Sequence, residues 1–178
     1  GCLLTVDVNL YYTTGRIYSG YFYLPAEGAP WFFVKRPNGL AGDHVEYIRK
    51  PEQMAELFAF YGLEMPEKLL LEADELTYND YIRLQKIFNP KETGNATAMM
   101  RELRRIKTPY EIEMFRISAE RHAKTYAEIP ECFRPGMTDL EFQYEIEKRM
   151  RKNGSIGLFR AFGANMDIFM GSILAGEN

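Results

Sequence analysis

His44 and His122 are the only imidazoles available for metal binding or proton transfer, and they lie far apart in the chain. Neither belongs to a His-x-x-x-His pair, and the chain has no Cys-x-x-Cys and no Asp-x-Asp-x-Asp loop. His122 falls between the apolar and polar faces of a helical segment and reads as a packing or surface residue. His44 lies in a loop, where contact with a ligand is the less favoured reading. Glu141, Glu145 and Glu147 sit on a helix whose other face is apolar, which describes a solvated face rather than a site. Nucleophiles are equally unsupported: there is no Gly-x-Ser-x-Gly elbow and no glycine-rich phosphate loop, and Cys2 and Cys132 have no activating neighbour in sequence. Arg101, Arg104, Arg105 and Lys107 have no aromatics interleaved and read as a solvated connector rather than a nucleic-acid surface. Residue types alone specify no reaction.

The elements that would position these residues fall into two parts. Cys2 to Val8 reads as a strand, and Asn9 to Gly15 as the turn at its end. Ser19 to Leu24 and Trp31 to Lys35 are aromatic-rich strands joined at Pro25-Ala26-Glu27-Gly28-Ala29-Pro30, a hairpin. Val45 to Ile48 predicts a fourth strand. Met54, Leu57, Phe58 and Tyr61 have helical spacing after Pro51, with Gly62 as the stop. Leu69 to Leu71 is a short buried strand, and Thr77 opens a helix that ends at Pro90. Strands alternating with helices predict a mixed α/β domain over residues 1–96, followed by a connector over 97–107. The last part, 108–178, is helical at first. Thr108-Pro109-Tyr110-Glu111 and Thr138-Asp139-Leu140-Glu141 are two capping boxes, each opening a helix, with Arg134-Pro135-Gly136 between them. The first helix places Ile112, Phe115, Ala119, Ala123 and Tyr126 on one apolar face; the second uses Leu140, Phe142, Ile146 and Met150 and stops at Asn153-Gly154. Leu158 to Phe162 and Ile168 to Leu174 read as strands of a sheet that has barely begun, so residues 155–178 are expected to be frayed, rearranged or paired with another chain.

Composition narrows the class. The chain has 178 residues, 46% of them hydrophobic and 26% charged, with a net charge of −3. That balance gives no reason to expect nucleic acid or an anionic membrane as partner. No apolar run approaches the roughly 18 residues that span a bilayer, and no signal-peptide pattern is present. Two isolated cysteines fit reduced thiols in a cytoplasmic protein. A lipid-bearing Cys2 is disfavoured because Leu3-Leu4-Thr5-Val6 follows with no tether. Gly1 in place of an initiating Met predicts that upstream residues have been removed.

One run carries more information than the rest. Leu103-Arg104-Arg105-Ile106-Lys107-Thr108-Pro109-Tyr110-Glu111-Ile112 resembles the segment entering the catalytic domain of prolidases, aminopeptidases P and creatinase. Arg134-Pro135-Gly136-Met137-Thr138-Asp139-Leu140-Glu141 is similar to a Pro-Gly-Met-Thr-Glu turn of the same family, with Asp139 in the usual Glu position. Asn9-Leu10-Tyr11-Tyr12-Thr13-Thr14-Gly15 resembles an Asn-x-x-Tyr-Leu-Thr-Gly stretch of the family's N-terminal domain. Glu72 before Thr77-Tyr78 matches a glutamate that often ends a later strand. The resemblance is thus to the creatinase/prolidase family of metallopeptidases, and it covers nearly the whole chain in order.

That resemblance implies an α/β fold: a creatinase-type N-terminal mixed sheet with flanking helices, then the first two helices and strands of a pita-bread domain. It implies a homodimer formed through the N-terminal domain and hydrolysis of the bond before proline in a peptide substrate. Two divalent metal ions, manganese or cobalt, would be bound by two aspartates, a histidine and two glutamates. Those ligands would follow Asn178, so no catalytic or metal-binding residue carries over and the chain alone is expected to be inactive. The helix that usually precedes the first strand is also missing. Asn9, Tyr12, Gly15, Phe159, Arg160 and Phe162 are the residues nominated to line the substrate site. Two other functions remain open on the same fold: a non-catalytic peptide- or protein-binding module, and a creatinase-like small-molecule hydrolase.

Overall fold

A computed structural model describes residues 1–157, 159–160 and 167–168. The chain divides into two compact units, Gly1–Ile106 and Lys107–Asn178.

The first unit is built on six strands. They are β1 (Cys2–Leu4), β2 (Ser19–Leu24), β3 (Trp31–Arg36), β4 (Val45–Tyr47), β5 (Lys68–Leu71) and β6 (Glu92–Asn95), in the order β4-β3-β2-β1-β5-β6. The β1–β2 and β2–β3 pairs are antiparallel and the other three parallel, so β2 alone runs against the rest. Successive side chains leave a strand on opposite faces, and this sheet buries both. Leu3, Tyr21, Tyr23, Trp31, Phe33, Leu69 and Leu71 face α2 (Gln53–Tyr61) and α3 (Tyr78–Phe88), which contribute Met54, Phe58, Leu84 and Phe88. Cys2, Leu4, Phe22 and Val34 face the opposite way, toward Leu10 of α1 (Asp7–Thr14) and Met100 of α4 (Thr97–Arg105). Helices on both faces of a sheet whose strands are apolar on both sides make a three-layer α/β/α unit. The expected mixed sheet with flanking helices is present.

The structure departs from the sequence reading in three places. Asn9 to Thr14 is helix α1, not a turn at the end of a strand, and β1 stops at Leu4 rather than Val8. The helix is short and its start lacks a local cap, so its periodicity is weak in the sequence. Residues 92–95 form a sixth strand, polar and at the sheet edge, where hydrophobic alternation is not required. The expected connector over 97–107 is largely helix α4: Thr97 and Met100 are buried against the sheet, and Asn95 Oδ1 accepts the Thr97 N–H at 2.9 Å.

In the second unit, α5 (Pro109–Cys132) and α6 (Asp139–Lys152) begin at the two expected capping boxes. In each, the threonine hydroxyl accepts from the glutamate N–H and the glutamate carboxylate accepts from the threonine N–H. These bonds hold the Glu141 carboxyl below the usual carboxylate range, the Thr138 N–H being the larger cause. Asn153 joins the helices by donating to Thr125 Oγ1 and Glu128 Oε2, both at 3.1 Å, and Phe133 meets Phe142 edge-on at 5.8 Å. The apolar face expected on the first helix does not make this contact: Ile112, Phe115 and Tyr126 are exposed, while Thr125 and Cys132 are buried. Strands β7 (Phe159–Arg160) and β8 (Asp167–Ile168) pair antiparallel. The remainder of the expected strands, 158, 161–162 and 169–174, lies outside the described residues.

Candidate functional site

The polar cluster around Glu72 is the best-built feature of the first unit. Glu72 follows β5, which lies parallel to β1 with Leu71 opposite Leu3, so its side chain meets the chain leaving β1. It is fully buried. Glu72 Oε2 accepts the Thr5 N–H at 2.6 Å, the Val6 N–H at 2.8 Å and the Thr5 hydroxyl at 3.2 Å. Glu72 Oε1 accepts from the amide of Asn9. Both oxygens are engaged, three donors on Oε2 and one on Oε1, as a buried carboxylate requires. The N-cap of α1, Val6, makes no side-chain cap. The distant carboxylate serves instead, satisfying donors at the start of the helix where negative charge is favoured.

Asn9 extends the cluster outward. Its side chain is buried, with the amide nitrogen on Glu72 and Oδ1 accepting from Arg104 Nη1 at 3.1 Å. Since a carboxylate accepts and a guanidinium donates, this amide orientation is the one that satisfies both neighbours. One turn further along α1, the half-buried Tyr12 donates its hydroxyl to the Leu103 carbonyl at 3.1 Å. Gly15 ends α1 in the left-handed region (φ 66°), its N–H on the Tyr11 carbonyl, with open space around its Cα.

The three N-terminal nominees therefore share one helix and its cap, but their surroundings differ. Tyr12 and Gly15 border solvent, whereas Asn9 is enclosed with both ends of its amide engaged. Phe159 and Arg160 lie on β7, opposite Ile168 and Asp167; Phe162 lies outside the described residues. Glu72 and Arg104, the partners that give the cluster its shape, were not among the nominees. Glu72 carried a signal, an acid ending the apolar run Leu69-Leu70-Leu71. Arg104 was absorbed into the basic stretch.

Other reactive side chains are accounted for by packing. His44 has a positive φ of 56°, its carbonyl accepts the Phe32 N–H, and its ring lies 4.5 Å from Trp31. His122 is exposed beside Tyr126. Burial, with a smaller effect from the Glu72 charge, pushes the Cys2 thiol up to about 11, well above the range of a reactive thiolate. Among the described residues no group of three or more His, Cys, Asp and Glu side chains is placed to hold a metal ion. No helix among them is long and apolar enough to cross a membrane. Two cavities of about 680 and 710 Å³ open on the first and second units, one against Trp31 and His44 and the other between α5 and α6.

The family model of the creatinase/prolidase N-terminal domain matches residues 1–106. The chain belongs to the creatinase/prolidase family. The matched residues contain the whole Glu72 cluster, including the Arg104 contact, so the cluster is internal to the creatinase/prolidase domain. Among curated proteins no sequence match is found. Solved structures share the fold. An Xaa-Pro dipeptidase from Bacillus anthracis is 23% identical with a TM-score of 0.70, over 87% of this chain and 45% of its own. An X-Pro aminopeptidase from Thermotoga maritima is 18% identical with a TM-score of 0.72, over 88% and 47%. A prolidase from Pyrococcus furiosus is 23% identical with a TM-score of 0.66, over 87% and 49%. The chain thus spans less than half the length of each of these proteins.

Proposed function

We propose that this chain supplies the N-terminal domain and the opening helices of the catalytic domain of a cytoplasmic, metal-dependent Xaa-Pro dipeptidase or aminopeptidase. The observation that carries this reading is the extent of the likeness. The family match covers residues 1–106, and the fold shared with Xaa-Pro peptidases covers 87–88% of the chain, past that boundary. The two divalent metals, manganese or cobalt, would be held by the part of the catalytic domain that follows these helices. The second unit supports this arrangement. Phe115, Tyr126, Leu140 and Tyr144 are all more than half exposed, and α6 buries no residue fully. Apolar area of that kind calls for a covering layer.

Within the reading, the first unit supplies the surface for homodimer formation, and Tyr12 and Gly15 form part of the wall of a site for a proline-containing peptide. Phe159, Arg160 and Phe162 would line the apolar entrance of the catalytic half. Asn9 supports that wall from inside the fold. Activity of the protein purified from its native cell tests the proposal. With manganese or cobalt it should release proline from an Xaa-Pro dipeptide, or the first residue from a longer Xaa-Pro peptide. A chelator should abolish that release and added metal restore it, while the 178-residue chain alone should release nothing. Metal-loaded native protein that leaves every such peptide intact would refute the peptidase reading. Turnover by the 178-residue chain would refute the placing of the ligands.

A further inference from the structure

We infer that Asn9, Tyr12 and Arg104 form a clasp that holds the last turn of α4 on α1 and so fixes the direction in which the chain leaves the first unit at Ile106. The two ends of α4 are held by different means. Its first turns are anchored by burial of Thr97 and Met100 and by the Arg101 ion pair with Glu75 at 2.9 Å. Past Met100 this support fades: Leu103 is 54% exposed and Ile106 73% exposed. The final carbonyls of a helix also lack intrahelical donors. Tyr12 supplies one to Leu103, and Asn9 receives the Arg104 guanidinium, a cation placed in the last turn where the helix dipole favours it.

What makes Asn9 an anchor is its own immobility. Glu72 holds the amide nitrogen, which leaves Oδ1 aimed at Arg104. The clasp therefore runs from the end of β5 through α1 to the end of α4, three elements far apart in sequence. Its predicted signature is local: releasing it should free the chain around residues 103–107 and leave the sheet intact.

Trypsin reads that opening directly, because Arg105 and Lys107 lie just past the clasp. Under native conditions, cleavage depends on how often the site opens when reclosing is fast. Tyr12→Phe and Arg104→Met each remove one clasp bond without touching the donors of Glu72. In the 178-residue chain Tyr12→Phe should raise cleavage after Arg105 and Lys107 roughly fivefold, the factor expected for the net worth of one neutral hydrogen bond, and Arg104→Met, which removes a charged donor, roughly tenfold or more. Cleavage after Lys68 and Lys91, and the urea midpoint of the first unit, should not change. Unchanged cleavage after Arg105 and Lys107 in both variants would overturn the clasp. So would faster cleavage at all four positions, which would mean general destabilisation. Asn9→Ala is the weaker test, because it also strips a donor from buried Glu72.

Discussion

Glu72 gathers four hydrogen bonds on one buried side chain, and its cost of removal is correspondingly specific. Glu72→Gln keeps the volume but points an amide nitrogen at donors and leaves at least one without an acceptor. Buried donors in that state cost about 1–3 kcal/mol each, so urea denaturation should show a loss of roughly 3 kcal/mol. A loss below about 1 kcal/mol would mean that water replaces the carboxylate. Cys2, beside the same cluster, makes a pH prediction. Its pKa is raised in the folded chain from 9.0 to about 11, so the folded state binds the proton more tightly. The stability this contributes is intact below pH ~9 and is lost as pH rises through about 11. Burial also raises the pKa of Tyr18 and Tyr23, but those groups persist in a Cys2→Ala variant. Between pH 8 and pH 10.5 the wild-type urea midpoint should therefore fall further than that of the variant. Equal falls would show that the thiol titrates normally.

At the scale of elements, helix starts were the most legible feature. Thr108 and Thr138 each open a helix through a capping box that closes within four residues, and both boxes are made as expected. Replacing either threonine with alanine should cost about 1 kcal/mol, read as a loss of helical signal at lower urea. No change in either variant would mean that the caps are redundant with packing. The hairpin β2–β3 and the strand at Leu69 to Leu71 were equally plain, because alternation and turn residues are local. What stayed hidden depended on distant partners. The chain entering helix α1 is held by Glu72, which follows β5, so nothing near Val6 announces it. In α4, Met100 faces the sheet while the adjacent arginines suggest solvent, and only the fold shows which tendency prevails. The candidate site was half legible for the same reason. Asn9 and Tyr12 were found as part of a motif, but the bond to Arg104 spans most of the first unit.

The whole molecule joins a well-buried α/β unit to a second unit whose helices are capped and paired yet expose much of their apolar surface. The contrast is physical: the first unit buries both faces of its sheet, and α6 buries no residue fully. On the proposed reading, a creatinase/prolidase N-terminal domain joined to helices in need of cover is one half of a larger enzyme. The intact mass of the protein as its native cell makes it tests that claim most directly. The account predicts a mass about twice the 20.7 kDa of this chain. A mass near 20.7 kDa would contradict it and leave the exposed helices to be explained by a binding partner instead.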